Sequence, residues 1–213
     1  SGITVSSPEM AEYFASDGWS DITIAFPFYR GQMDAIKSLS ETCSLRLFIS
    51  TPQGIQFLDQ HLSQNVSVFI EIDAGYNRSG INYENLSFIN DIVQAAEQAT
   101  YVAFEGFYIH DGSTYKASGA EEIEQIIRRD LNAFKKLRET YPDVTYGLGD
   151  TPSSSLLNNF SPATELSPGN LIFYDLMQIG IGACSYSDIG LLVHVPVVQE
   201  KPETDQCIVH GGA

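Results

Sequence analysis

Two hydrophobic rhythms alternate along this chain. Short runs with every second residue apolar are followed by longer stretches whose apolar residues fall three and four apart. The clearest run is 66–73, where Val66, Val68, Ile70 and Ile72 share one face and the pattern stops at Asp73. Similar runs predict strands at 2–6, 21–27, 45–50, 101–109 and 144–148. Between them the helical period predicts helices at 8–18, 32–39, 53–62, 84–98 and 120–141. Their apolar stripes are Met33, Ile36 and Leu39; Ile55, Leu58 and Leu62; and Leu86, Ile89, Val93 and Ala96. The longest helix carries Ile123, Ile126, Ile127, Leu131, Phe134 and Leu137. Ser7-Pro8-Glu9 is a helix-start signal, with proline in the first turn.

Strand and helix alternating with short connections demand a parallel sheet covered by helices, in a barrel or an open sheet. After residue 160 the rhythm changes. Stretches 164–175, 188–199 and 206–209 read as strands with no helices between them. The expected organisation is a partial (β/α) barrel over 1–160, a closing barrel strand and crossover over 161–180, and the beginning of a β domain over 181–213. Both ends read as cut: Ser1 to Ser7 looks like the inside of a strand, and Ile208 to Ala213 like a strand entering a glycine turn.

Composition narrows the function classes. The formal net charge of −16 argues against nucleic acid or an anionic membrane surface as partner. No apolar run reaches membrane-spanning length and no signal peptide is visible. The three cysteines (Cys43, Cys184 and Cys207) are widely spaced without a Cys-x-x-Cys, which reads as reduced thiols in a cytoplasm.

Chemistry collects where strands end. The 66–73 strand runs into Asp73-Ala74-Gly75-Tyr76-Asn77-Arg78-Ser79-Gly80, the 101–109 strand into His110-Asp111-Gly112, and the 144–148 strand into Gly149-Asp150-Thr151-Pro152. In a parallel barrel such ends converge on one rim, so these residues would share a site. Thr151 to Ser155 offers hydroxyls and backbone N–H groups to an anion, and Ser167-Pro168-Gly169-Asn170 adds an unhindered backbone. Arg78 reads equally as a solvated loop cation, and Asp73-Ala74-Gly75 as a simple turn. No G-x-x-x-x-G-K segment supports a nucleotide-hydrolysing loop.

These stretches, with Thr164-Glu165-Leu166-Ser167-Pro168-Gly169-Asn170-Leu171-Ile172-Phe173-Tyr174-Asp175, resemble in order the D-threonine aldolase and D-serine dehydratase family, relatives of alanine racemase. The resemblance covers nearly the whole chain. It implies a pyridoxal-phosphate enzyme with a (β/α)8 TIM-type barrel, here lacking its first strand, followed by the start of a C-terminal β domain. It further implies a lyase acting on small D-3-hydroxy amino acids by retro-aldol cleavage or dehydration, a homodimer in the intact protein, and a divalent metal whose ligands lie beyond Ala213. An amino-acid racemase, or a barrel that binds without catalysis, is the alternative.

The resemblance also implies roles. Arg78 would steer the cofactor's phenolic oxygen and the substrate carboxylate. His110 would lie against the pyridine ring, or else be a strand-end histidine bonded to backbone. Thr151, Gly169 and Asn170 would grip the phosphate. Tyr115 and Tyr174 would face substrate, or pack in core or interface. Ser167 stands where alanine racemases carry an arginine, and Leu171 where the family often has tyrosine. No catalytic residue is expected within the chain, because the Schiff-base lysine belongs upstream of Ser1. Lys37, Lys135 and Lys136 fall on helices, Lys116 in a loop and Lys201 after a late strand. His194 and His210 read as strand and turn residues without a second ligand at metal spacing.

Overall fold

The computed structural model describes residues 2–211. The strands are β1 (Ile3–Val5), β2 (Asp21–Pro27), β3 (Ser44–Ile49), β4 (Val66–Asp73), β5 (Ile81–Asn82), β6 (Val102–Ile109), β7 (Thr145–Leu148), β8 (Glu165–Leu166), β9 (Val197–Lys201) and β10 (Gln206–Val209). The helices are α1 (Pro8–Ser16), α2 (Met33–Ser40), α3 (Pro52–His61), α4 (Leu86–Gln98), α5 (Ala120–Thr140), α6 (Thr151–Leu156) and α7 (Leu176–Ile181). A 3-10 turn occupies Gly112–Lys116 between β6 and α5.

The main sheet runs β1-β2-β3-β4-β6-β7-β8 with every pair parallel, and β5 adds a short rung to the end of β4. A polar cap beside a strand end starts several helices. Ser7, Thr51 and Asp150 each accept a backbone N–H from the first turn, and a proline follows within two residues of each. The proline has no N–H to leave unsatisfied there, and its φ already suits the helix.

Alternation along the strands gives the sheet two different faces. Ile22, Leu47, Val68, Ile70, Phe107 and Leu148 pack outward against helix residues such as Ile55, Ile89 and Phe134. Phe48, Phe69 and Tyr108 meet on the other face over Ala25, with the Phe48 and Tyr108 centroids 4.6 Å apart. Residues of β1, β2, β3, β4 and β6, with Gly149 after β7 and Ser167 after β8, line one cavity above this trio, so the sheet curls around a shared interior. Toward the amino ends of the strands Arg46 pairs with Asp21 at 2.9 Å, reaches Glu105 at 4.0 Å and donates to Thr23 at 3.2 Å. The parallel curled sheet with outer helices is the expected barrel architecture missing a strand, and β9 and β10 form the small antiparallel sheet beyond it.

The region after 160 departs from the sequence pattern. Only Glu165–Leu166 of the 164–175 stretch joins the sheet. Asn170 O then accepts from the N–H groups of Phe173 and Tyr174, and Tyr174 turns left-handed at φ 49°. Helix α7 interrupts what read as helix-free chain, and 188–199 forms strand only from Val197. Apolar composition made these segments look like strands, but a strand also needs a neighbouring edge to bond.

Candidate active site

β4 delivers the first part of the site. Its inward face continues from Phe69 to Glu71, which is 4% exposed and accepts a 2.7 Å hydrogen bond from the Ser79 hydroxyl. Asp73 is spent locally, because its Oδ1 accepts the N–H groups of Gly75 at 2.8 Å and Asn77 at 3.1 Å. That turn swings Arg78 and Ser79 back over the sheet. The Arg78 guanidinium stands 5.5 Å from the Tyr76 ring centroid and forms no ion pair among the described residues.

β6 delivers Tyr108 and His110. Burial pushes the Tyr108 hydroxyl above its ordinary pKa, opposed in part by a hydrogen bond with Ser167, so it stays protonated. The Nδ1 of His110 meets the carbonyl oxygen of Gly149. A carbonyl can only accept, so Nδ1 carries the hydrogen and Nε2 is left for another partner. The 3-10 turn after β6 then presents Tyr115, whose hydroxyl accepts the Thr151 N–H at 3.4 Å and whose ring lies 6.3 Å from His110.

Arg78, His110, Tyr115, Ser167 and Gly169 share a cavity of about 640 Å³ at the carboxyl ends of the strands, with Glu71 and Tyr108 at its floor. Its far wall is Thr4, Ser6, Met10 and Phe26. A Cβ at Gly169 would meet nothing within 4 Å, so this backbone is open to close approach. A slightly larger cavity, about 720 Å³, lies outside the barrel between α5 and residues 157–161. The strand-end cavity is the better candidate, because in parallel α/β folds the carboxyl rim is where ligands bind.

Other expected residues sit behind this wall. Thr151 is fully buried, and its hydroxyl oxygen accepts the Asn170 N–H at 2.8 Å. Asn170 Nδ2 donates to Asp175 at 2.9 Å, and the Tyr174 hydroxyl lies 3.0 Å from that of Ser155. These contacts join α6 to the turn after β8. Asp150 caps α6 and accepts from Thr114 Oγ1 at 2.7 Å. Burial raises its pKa while the bonds from Ser153 and Thr114 pull it down.

Glu71 and Tyr108 were missed by sequence reasoning, which followed the apolar face of each strand and stopped at its polar end. The missed signal was the opposite parity: Phe69 and Glu71 alternate with Ile70 and Ile72, and Tyr108 with Phe107 and Ile109. None of Lys37, Lys116, Lys135, Lys136 and Lys201 lines the cavity.

A curled parallel sheet with a cavity at its carboxyl rim defines the class of protein. The chain belongs to the alanine racemase N-terminal domain family, whose pattern it matches over residues 2–181. It is 27% identical over 232 residues to D-serine dehydratase of Dictyostelium discoideum, covering 100% of this chain and 58% of that protein. It is 26% identical over 221 residues to D-threo-3-hydroxyaspartate dehydratase of a Delftia species, again over 100% and 58%. A variant of that dehydratase in its metal-free form superimposes with a TM-score of 0.84 at 26% identity, over 95% of this chain and 56% of the other. D-threonine aldolase of Filomicrobium marinum shares the fold at a TM-score of 0.78 and 20% identity, over 99% and 60%. The chain thus spans about 58% of the length of the dehydratases it matches.

Proposed function

We propose that the protein carrying this chain is a pyridoxal-phosphate-dependent lyase that cleaves or dehydrates small D-3-hydroxy amino acids. The observation that carries the reading is one cavity holding an unpaired arginine, a histidine of defined tautomer and an open glycine backbone. About 640 Å³ suits a cofactor-sized ligand, and the family match and dehydratase relatives supply the chemical class. When bound, pyridoxal phosphate supplies the electron sink for bond breaking at the amino acid's α-carbon.

The residues of this chain bind and orient. Arg78 would hold the substrate carboxylate and the cofactor's phenolic oxygen by charge-assisted hydrogen bonds. The His110 ring, held by Gly149, would hold the pyridine. Gly169 would offer backbone to the phosphate. Thr151 and the Asn170 backbone would grip it beside Gly169, their mutual bond bracing that turn. Tyr115 borders substrate, while Tyr174 acts through Ser155 on α6.

The covalent lysine is none of the five in this chain, so the 213 residues alone are inactive in this reading. The divalent metal of this reading takes ligands beyond Ala213, as the family resemblance implies. Residues 1–160 act as the barrel part, 161–180 as the closing strand and crossover, and 181–213 as the start of a β domain. Intact mass and absorbance of the full-length protein, before and after borohydride reduction, test the proposal. The expected result is a visible band abolished by reduction, with one cofactor mass added to a lysine. Protein that takes up no pyridoxal phosphate overturns it.

A further inference from the structure

Two loops carry groups into the cavity: residues 73–80 bring Arg78 and Ser79, and residues 110–116 bring His110 and Tyr115. The ladder between β4 and β6 ends at Glu71 and Tyr108, below both loops. What holds them together comes from outside the barrel. Arg129 of α5 pairs with the Asp111 carboxylate, which is 1% exposed. The other oxygen of Asp111 accepts the Ser113 N–H at 2.8 Å and so caps the turn bearing Tyr115.

The same guanidinium lies on the other loop. A Cβ at Gly75 would come within 3.1 Å of Arg129 Cζ and Nη1, and Gly75 has φ +130°, so glycine is what lets the arginine cross there. Close by, the Tyr76 ring lies on Gly112, again where a Cβ would collide with it, and Arg78 stands over that ring. Arg129 does not line the strand-end cavity. Arginine suits the task, because a planar fork can bond a carboxylate along one edge while its face rests on backbone.

We propose that Arg129 is a positioning residue that couples the 73–80 and 110–116 loops, setting Arg78 and Tyr115 relative to each other. The coupling stands on geometry alone; its bearing on substrate rests on the proposed function. Amide hydrogen exchange of the full-length protein tests it without any cofactor. Arg129→Gln should speed exchange about tenfold in both loops, leaving β3 and α3 unchanged. Arg129→Lys should restore protection of 110–116, where charge suffices, and not of 73–80. Gly75→Ala, which keeps Arg129 and Asp111, should still loosen 110–116 across the gap. If Arg129→Gln loosens only 110–116 and Gly75→Ala only 73–80, the loops are independent and the proposal is overturned. Should Arg129→Gln unfold the protein, Arg129→Lys decides: faster exchange in 73–80 supports the coupling, and unchanged exchange there overturns it. Pyridoxal-phosphate uptake by wild type, measured separately, tells failure of the proposed function from failure of the coupling.

Discussion

Arg78 holds its charge in the cavity without a carboxylate partner among the described residues, which leaves it available to a ligand anion. Losing a charge-assisted bidentate contact of this kind costs about 2–3 kcal/mol. Arg78→Ala in the full-length protein should therefore lower kcat/KM for the amino acid roughly 100-fold, and Arg78→Lys should recover only part of it. A steady-state comparison of the two variants checks this. Asp130 gives a test that needs no substrate. It is fully buried, neither oxygen has a hydrogen-bond partner, and Arg129 Nε is 3.6 Å away. Burial, with the Asp111 carboxylate beside it, pushes its pKa up to about 8 against the pull of Arg129. The folded state therefore binds the proton more tightly than the unfolded chain. This contribution to stability is full below the unfolded pKa of about 3.9 and is lost as pH rises to about 8. Relative to Asp130→Asn, wild type should lose urea stability steadily between about pH 4 and 8 and hold a constant difference above that range. A difference that does not vary with pH would show that Asp130 is not carrying the proton.

Elements differed in how legible they were, for a physical reason. Strand β2 was read to the residue, and β4 likewise, because each buries one alternating face under helices. Helix α5 spans 21 residues with Ile123, Ile127, Phe134 and Leu137 buried, and one apolar stripe is enough to signal such a helix. Leu86 was the exception in α4: it is 44% exposed, while Ile92, outside the expected stripe, is fully buried. The 171–199 region misled because Ile172, Leu176, Leu191 and Val193 are apolar yet each at least 60% exposed. Composition cannot tell a residue that pairs in a sheet from one that merely lies at a surface. Strand pairing has its own sensitive point at Gly106 in β6, where φ is +154° and an added Cβ would run into the Thr145 backbone of β7. Gly106→Ala should destabilise the fold by about 2–4 kcal/mol, read as a lower denaturant midpoint with an unchanged slope.

On the scale of the molecule, the interior of the curled sheet is layered. Arg46 and its carboxylates lie toward the amino ends, Phe48, Phe69 and Tyr108 seal the middle, and the cavity opens above them. The aromatic layer lies between the Arg46 ion pairs and the cavity. Phe69→Ala should remove about 3–5 kcal/mol of stability and deepen the cavity floor; Phe69→Leu should cost less, since it refills most of the volume. Chemical unfolding of both variants measures the difference. Among the described residues β1 and β8 each pair on one side only, yet β1 and Ser167, next after β8, border the same cavity, so the site depends on curvature rather than on closure of the ladder.

The alternating parallel architecture, the family and the stretches that end on the rim were all determined by the sequence itself, because period and motif order are local properties. The tertiary structure decided where each of those polar residues lies. Arg78, His110, Tyr115 and Gly169 reach the cavity, whereas Asp73, Thr151 and Asn170 are occupied by backbone or by each other. It also brought in Glu71 and Tyr108 from within the strands and set Arg129 across two loops from a helix outside the barrel. A side chain's partners depend on which distant segments the folded chain places beside it, and burial then makes each such pairing costly to leave unmade.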